Sequence, residues 1–398
     1  MTARRLFATV SGALRSSWAV FFVAVFVRLW VFAQVLTQRG PDGFYQFNEQ
    51  ARIAWSLVSG HGFSSPWINT PLLPTAQQPP LYPFLLALIF KLAGPYSTVS
   101  LCVAEALNAV FAALTGVLIL HIGARSFHAA AGIVAAWVWA VWQYEAVVSI
   151  RVWESSLSGL LLIVSLWWLL KLTNFPPPAN WLGFGVLAGI SGLTNTALLA
   201  VFPCFLLWLW IKGRKQRVAS YRLYVGASAL ACLLTLAPWT ARNYLRFHRW
   251  IPVRDNFGFE LWQGNHPGPK ADAGEYVRLG EIPFMEAKQE AALEFIAQAP
   301  ADFLLRCVRR FQRFWTDPDF LWLPLSALAW FGLGAAFWRR RDHAVPFAMF
   351  FFSFPLVYYV THPGATYRHP IESEIVLLAA YAVVCIVGRK AAEGRSFS

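Results

Sequence analysis

Long apolar segments separated by short polar ones dominate the chain from about residue 17 to residue 388. A helix that crosses a membrane needs roughly 20 mostly apolar residues. The segments of suitable length are 17–36, 98–122, 128–148, 155–172, 181–211, 222–240, 319–338, 344–362 and 371–388. Because 181–211 is long enough for two helices, the pattern predicts an all-α polytopic membrane protein with about ten spans.

The basic residues between these segments predict the orientation. They form runs at Arg4-Arg5, 212–222, 339–341 and Arg389-Lys390, which the positive-inside rule places in the cytoplasm. The outward regions are then 37–97, 149–154, 241–318 and 363–370. This requires two helices within 181–211 and makes the apolar segment 79–94 interfacial or re-entrant. The alternative has one helix within 181–211 and lets 79–94 span the membrane. It leaves both chain ends on the same sides but would move Arg125 and Lys171 out of cytoplasmic loops.

This topology divides the chain into three parts. Residues 1–240 form an N-terminal transmembrane module whose first outward loop, 37–97, carries interfacial helices. Residues 241–318 form a small extracytoplasmic α-rich domain, with helices predicted over 282–299 and from Pro300 to Trp315. Residues 319–398 form the C-terminal transmembrane helices.

Composition excludes several classes of protein. The chain is 57% hydrophobic and 13% charged, whereas soluble domains carry about 25% charged residues. Its net charge of +13 lies in short loops between apolar segments, so it indicates topology and not nucleic-acid binding. No phosphate-binding loop, nucleophile elbow, Rossmann fingerprint or Cys/His cluster with metal-ligand spacing is present. We therefore expect no metal site, no cofactor, and a donor that is already activated in the membrane.

The first acidic candidate is Glu49, just after the first span. Phe47, Ile53, Ala54 and Leu57 have helical spacing, so we expect an interfacial helix with Glu49 facing a crevice. Desolvation would raise the pKa of such a carboxyl and suit it to act as a general base. The alternative interpretation is a solvated glutamate paired with Arg52.

A second pair of acids, Glu145 and Glu154, flanks the short outward loop that contains Arg151. Acidic groups near membrane depth are costly and often functional; the alternative is an ion pair with Arg151. Nine basic residues fall on the predicted outer face, against the topology rule. They are Arg242, Arg246, Arg254, Arg306, Arg309, Arg310, Arg313, Arg368 and His369. A phosphate-bearing lipid would explain them, because guanidinium groups bind phosphate bidentately; plain headgroup binding is the alternative.

Several stretches, taken in order, resemble one known superfamily. They are Glu49 to Leu57 with Gly60 to Phe63, Pro71 to Ala76 with Pro79 to Pro83, Ser100 to Thr115, Trp153 to Leu157, Leu193 to Thr196, Ala237 to Tyr244, Arg254 to Gly258 with Gly264-Asn265, and Tyr358-Tyr359 with Tyr367 to Glu372. This order resembles the GT-C superfamily of polyprenyl-phosphate-sugar glycosyltransferases. The branch it resembles most comprises bacterial relatives of protein O-mannosyltransferases and lipid A aminoarabinose transferases, in glycosyltransferase families 39 and 83.

The resemblance implies a GT-C fold and an inverting hexosyl or pentosyl transfer. By resemblance, Glu49 and Glu154 are the catalytic acids, with Glu49 as the base and Glu145 as a competitor for the second position. The implied substrate- and lipid-phosphate-binding residues are Arg52, Tyr82, Arg242, Arg368 and His369. One departure matters: related aminoarabinose transferases carry a lysine where this chain has Gln78, so another cation must serve the phosphate or the donor head differs.

The implied protein is a multi-pass enzyme of the bacterial inner membrane, with its active site facing the periplasm. Its partners would be a polyprenyl-phosphate sugar, membrane lipids and a lipid, glycan or protein acceptor, without nucleic acid. Two alternatives stay open. One is an oligosaccharide polymerase or ligase with a lipid-diphosphate donor. The other is a lipid or solute transporter, for which the spans offer little beyond Arg28 and Asn195.

Overall fold

Helices make up most of the chain, as the alternation of apolar and polar segments predicts. The computed structural model describes residues 12, 14–45, 48–64, 66, 67, 70–266, 273–316, 322–339 and 341–393. The helices up to residue 247 are α1 (Ser17–Arg39), α2 (Asp42–Tyr45), α3 (Glu49–Val58), α4 (Leu81–Ala93), α5 (Thr98–Ser126), α6 (Ala129–Val141), α7 (Gln143–Ser149), α8 (Ser155–Leu172), α9 (Pro178–Thr194), α10 (Phe202–Lys215) and α11 (Tyr221–Phe247). The later ones are α12 (Phe257–Asn265), α13 (Ala273–Leu279), α14 (Glu281–Gln298), α15 (Pro300–Thr316), α16 (Trp322–Arg339), α17 (Arg341–Ser353), α18 (Leu356–Val360), α19 (Ala365–Arg368) and α20 (Glu372–Glu393).

The described residues contain seven helical segments long and apolar enough to cross a membrane. They are Ser17–Arg39, Thr98–Ser126, Ser155–Leu172, Thr196–Lys215, Tyr221–Phe247, Asp342–Val360 and Ala365–Gly388. The pair α6 and α7, bent by 64°, makes an eighth if it is one broken span. The chain is therefore a multi-pass membrane protein.

Two more predicted spans are helical but fall outside this group. Helix α9 has 17 residues, slightly fewer than the roughly 20 that a span needs, and α16 begins where the described chain resumes at Trp322. The predicted total of about ten thus stays a prediction. Helix α4, over the predicted interfacial segment, has 13 residues, too few to cross a bilayer.

The first outward loop folds into short helices that pack against the bundle. Asn48 caps α3 by accepting a hydrogen bond from the Ala51 amide at 2.8 Å, and its own amide donates to the Val152 carbonyl at 2.6 Å. Helix α3 buries Ala51, Ile53 and Ala54 completely, as its spacing predicts, while Phe47 lies outside the described residues. The cap therefore starts α3 at Glu49 and ties it to the next outward loop.

The region after α11 packs over the first outward loop. The predicted helices over 282–299 and 300–315 are observed as α14 and α15. The Asp255 amide donates to the Ala76 carbonyl at 2.9 Å, and the Ala76 amide donates to Glu281 Oε1 at 2.5 Å. These bonds bring the regions 37–97 and 241–318, both predicted to face outward, together at one end of the bundle. The basic residues Arg4, Arg5 and Arg340 lie outside the described residues, as do the side chains of Arg389 and Lys390.

Candidate active site

A cavity of about 500 Å³ lies where the outward regions meet. Its walls come from the first outward loop, the loop before α8, the segments around residues 195–200 and 252–263, and the 357–367 region. Both predicted catalytic acids, Glu49 and Glu154, line it together with Arg254. The structure thus brings two carboxylates and a guanidinium to one cavity, although the three are distant in sequence.

Glu49 stands at the start of α3 and is held by a neutral partner. The Gln78 side-chain amide donates a hydrogen bond to Glu49 Oε2, whereas Arg52 donates to the Thr70 carbonyl at 3.0 Å. Burial raises the pKa of the Glu49 carboxyl, and the bond from Gln78 and the charge of Arg254 oppose that rise. Glu49 is therefore a half-buried carboxylate that is more basic than a solvated glutamate.

Glu154 precedes the first turn of α8 and is 4% exposed. The Gln50 amide donates to Glu154 Oε2, and the Asn195 amide lies 3.5 Å from Glu154 Oε1. Burial raises the pKa of Glu154 to about 7, against the lowering effect of the bond from Gln50 and of the charge of Arg254. Glu145, its competitor in the sequence, does not line the cavity.

The basic side chains that line the cavity, Arg254 and His362, lie in the segments that follow α11 and α18. Arg254 Nη2 lies 3.5 Å from Glu260 Oε1, and Arg254 Nε donates to the Gln77 carbonyl at 3.1 Å. Glu260 also accepts a hydrogen bond from Asn256 at 2.7 Å, and its other oxygen lies 3.6 Å from His362 Nε2. Arg254 is thus fixed at the cavity wall by Glu260 and by the Gln77 carbonyl.

One hydrogen-bond donor in the wall has no protein partner. Gln77 is 2% exposed, and its buried Nε2 has no hydrogen-bond acceptor within the described residues. The cavity wall also carries Tyr358 and Tyr367, whose rings stack with centroids 5.1 Å apart. An unsatisfied buried donor is costly, so Gln77 is suited to an oxygen of a bound ligand.

Three of the predicted phosphate ligands lie away from the cavity. Arg52 bonds within the first outward loop. Tyr82, 2% exposed, donates to Asn108 Oδ1 at 3.3 Å. Arg242 donates to the carbonyls of Thr75 and Phe63 at 2.8 and 3.0 Å, which fastens the first outward loop to α11. In this structure each of the three side chains donates a hydrogen bond to another part of the protein.

The other two predicted ligands, Arg368 and His369, are buried in the bundle. Arg368 is 0% exposed and pairs with both carboxylate oxygens of Glu372, at 2.7 and 3.1 Å. Its guanidinium also donates to the Phe314 carbonyl at 3.0 Å. His369 Nδ1 lies 2.5 Å from Glu145 Oε2. These pairs hold the 364–371 segment, including the cavity residue Tyr367, against neighbouring helices.

Comparison with known proteins shows which family model and which solved structures the chain resembles. Residues 77–241 match a family model described as dolichyl-phosphate-mannose-protein mannosyltransferase. The fold matches ArnT from Cupriavidus metallidurans bound to undecaprenyl phosphate, with 17% identity, a TM-score of 0.55, and 92% of this chain and 60% of that chain covered. The likeness is one of fold: the chain has a GT-C fold.

A second GT-C structure is similarly close. It is the archaeal oligosaccharyltransferase AglB from Archaeoglobus fulgidus, solved with an inhibitory peptide and a dolichol-phosphate. Identity is 12% and the TM-score 0.56, over 96% of this chain and 51% of that one. The chain thus spans about 60% of the length of ArnT and about half that of AglB. No curated protein sequence matches this chain.

Sequence reasoning missed much of this GT-C cavity. Arg254 stands in a stretch that carries the resemblance, but nothing in the sequence distinguishes it from the other outer arginines. Glu260, His362 and Gln77 have no motif of their own, and only packing brings them to the cavity. Among the described residues, no three His, Cys, Asp or Glu side chains are arranged to hold a metal ion.

The buried contacts of Arg368 predict that it is needed for folding. Replacing one member of a buried ion pair leaves the other charge unpaired, which costs about 3–5 kcal/mol. We expect Arg368→Met to lower the apparent Tm strongly, measured by tryptophan fluorescence in detergent. The double change Arg368→Met with Glu372→Leu should recover most of the loss.

A matched control is Arg151→Met. Arg151 is exposed and contacts the same segment, donating to Thr366 Oγ1 at 2.9 Å, so its loss should matter less. An unchanged Tm in Arg368→Met, together with weaker binding of a polyprenyl phosphate, would instead support the phosphate role suggested by the resemblance.

Proposed function

We propose that the protein is a membrane glycosyltransferase that moves a sugar from a polyprenyl phosphate to an acceptor hydroxyl at the outer face of a bacterial inner membrane. The observation that carries the proposal is the shared cavity of Glu49, Glu154 and Arg254. The mannosyltransferase family model over residues 77–241 and the GT-C fold support it. The sugar is a hexose or a pentose, and it is itself the donor's activated group, so no separate cofactor takes part.

Glu49 is the general base of this reaction. Its carboxylate takes the proton of the acceptor hydroxyl as that oxygen attacks the anomeric carbon. The bond from the anomeric carbon to the phosphate oxygen breaks at the same time, and its electron pair leaves with the lipid phosphate. One displacement on the face opposite the leaving group inverts the anomeric centre. A base held by a neutral amide keeps the raised pKa that proton transfer needs.

Arg254 stabilises the departing phosphate. It is a cation at the cavity wall, and charge that develops on a leaving group is stabilised most by fixed charges in a water-poor site. This assignment supplies the positive charge that relatives place at the position of Gln78. Arg254 binds the backbone carbonyl of Gln77, whose side-chain amide has no partner among the described residues. This amide donates a hydrogen bond to an oxygen of the polyprenyl-phosphate sugar.

Glu154 positions the sugar. Its two amide partners, Gln50 and Asn195, fix the carboxyl in one orientation, and its oxygens accept hydrogen bonds from sugar hydroxyls. The stacked rings of Tyr358 and Tyr367 supply an apolar part of the cavity wall.

Replacement of Glu49, the proposed base, should reduce turnover without reducing donor binding. We expect Glu49→Gln to lower transfer from a radiolabelled polyprenyl-phosphate hexose by about 10²- to 10⁴-fold, with donor binding retained. The assay uses purified protein in detergent with a lipid extract that supplies the acceptor. Glu290→Gln, at an exposed site outside the cavity, is the matched control and should keep wild-type turnover.

Other outcomes separate the alternatives. Equal turnover in wild type and Glu49→Gln would reject Glu49 as the base and favour Glu154. Transfer from a lipid-diphosphate oligosaccharide, but not from the monophosphate donor, would replace the proposal by an oligosaccharide ligase.

The charges around Glu49 predict opposite shifts in pH dependence. A base works only when deprotonated, so kcat/KM should rise with pH through the pKa of Glu49. Glu260 raises this pKa and Arg254 lowers it. Glu260→Gln should therefore move the rising limb to lower pH, and Arg254→Gln should move it to higher pH. The measurement is kcat/KM across the pH range, again with Glu290→Gln as the control. Shifts in the same direction for both variants are incompatible with this assignment.

A further inference from the structure

A second cavity, of about 670 Å³, adjoins the one that contains Glu49. Trp153 and Tyr367 line both spaces. Asn48 lines the second cavity, and the next residue in the chain, Glu49, lines the first. The two cavities therefore meet at the start of α3, where the proposed base stands.

Hydrogen bonds hold together the partition between the two cavities. The Asn48 side-chain amide donates to the Val152 carbonyl at 2.6 Å, and Arg151 Nη1 donates to Thr366 Oγ1 at 2.9 Å. All four of these residues line the second cavity. The partition is thus built from three separate segments of the chain, each of which also contributes to the wall of the first cavity.

Two arginines supply the charged groups of the second cavity. Arg39, the last residue of α1, and Arg151 are both exposed, and both line it. None of the described lining residues is acidic, and neither arginine forms a salt bridge with a described carboxylate. Arg151 keeps further N–H groups beyond its bond to Thr366, because a guanidinium has five. Such groups bind phosphate and carboxylate oxygens in bidentate geometry, so the second cavity is suited to an anionic group.

Much of the remaining wall is apolar. Val35, Phe44 and Val147 line the second cavity from α1, α2 and α7, and Val147 is 40% exposed. Helix α1 is one of the helices long and apolar enough to cross a membrane. A cavity with a mostly apolar lining and a few oriented polar groups binds ligands of matching character. Its chemistry therefore matches an amphiphile with an anionic head and an apolar chain.

We propose that the second cavity binds the acceptor, and that this acceptor is an anionic amphiphile with a hydroxyl group near its charge. This inference rests on the proposed function, since it names the acceptor class of the same reaction. The arginines hold the anionic group, and the hydroxyl lies at the junction of the two cavities, next to Glu49. There the hydroxyl gives its proton to the Glu49 carboxylate as its oxygen bonds to the anomeric carbon. The lipid phosphate of the donor leaves with the electron pair of the broken bond.

Binding is tested on the purified full chain in a neutral detergent, by native mass spectrometry. Dioctanoyl phosphatidylglycerol is the anionic amphiphile with hydroxyl groups, dioctanoylglycerol lacks its charge, and glycerol 3-phosphate lacks its chains. Farnesyl phosphate is the probe for the donor cavity. We expect phosphatidylglycerol to bind most tightly of the first three and to form a ternary complex with farnesyl phosphate.

The two probes should depend on different arginines. Arg39→Gln with Arg151→Gln should weaken binding of phosphatidylglycerol on the order of tenfold and leave farnesyl phosphate within about twofold of wild type. Arg254→Gln should have the reverse effect. Arg39→Gln alone, which keeps the bond between Arg151 and Thr366, should give part of the loss and guards against a folding defect.

The matched control is Arg246→Gln with Arg278→Gln, which removes the same charge from exposed arginines outside both cavities. It should leave both affinities within about twofold of wild type. An equal loss of phosphatidylglycerol binding in both double variants would reduce the effect to net charge and overturn the proposal. Displacement of phosphatidylglycerol by farnesyl phosphate would overturn it too, as would equally tight binding of dioctanoylglycerol or glycerol 3-phosphate.

The acceptor role is tested in the transfer assay with the lipid extract. In Arg39→Gln with Arg151→Gln, the amount of extract needed for half-maximal transfer should rise on the order of tenfold, with the KM for the donor unchanged. The labelled product of the wild type should elute with the anionic lipids from an anion-exchange column. A neutral or protein product, or an unchanged demand for extract, would overturn the acceptor proposal and leave the transfer reaction standing. Arginine-dependent binding of phosphatidylglycerol without any transfer would reject the proposed function, and the acceptor assignment with it.

Discussion

Polar side chains carried into an apolar interior must find hydrogen-bonding partners, and this requirement organises the part of the bundle around residues 364–371. Arg368 meets it through Glu372 and the Phe314 carbonyl, and His369 meets it through Glu145. Glu145 lies on α7, and Glu372 is the first residue of α20. These contacts hold residues 364–371 in place. Tyr367 belongs to that segment and forms part of the cavity wall. The position of this part of the wall therefore follows from the buried contacts of Arg368 and His369.

The cavity follows a different rule from the bundle beneath it. Its two carboxylates are held by amides, Glu49 by Gln78 and Glu154 by Gln50, and the nearest cation is tied to a third acid, Glu260. Full ion pairs would keep both carboxylates strongly acidic. Amide partners fix their geometry and still leave the pKa of each raised by burial. This contrast separates residues that hold the fold from residues suited to react.

Apolar periodicity was enough to predict the long helices, the short helix after the first span and the break at Pro300, because each is determined by local sequence. The acids of the cavity were also within reach, since carboxylates near membrane depth are few. The cations were not. Arg254 reaches the cavity only through the packing of segments that are distant in sequence, whereas Arg368 pairs with Glu372, four residues later. The assignment of phosphate contacts by resemblance alone thus remains a prediction for Arg52, Tyr82, Arg242, Arg368 and His369, while the geometry favours Arg254.

The most direct test of this account is a structure of the protein with a non-transferable polyprenyl-phosphate sugar analogue, determined by electron cryomicroscopy in a lipid nanodisc. The account predicts the phosphate within hydrogen-bonding distance of Arg254 and the sugar between Glu49 and Glu154, with the Arg368–Glu372 pair intact. A phosphate bound at Arg368 after that pair has opened, or a sugar outside the Glu49 cavity, would contradict it.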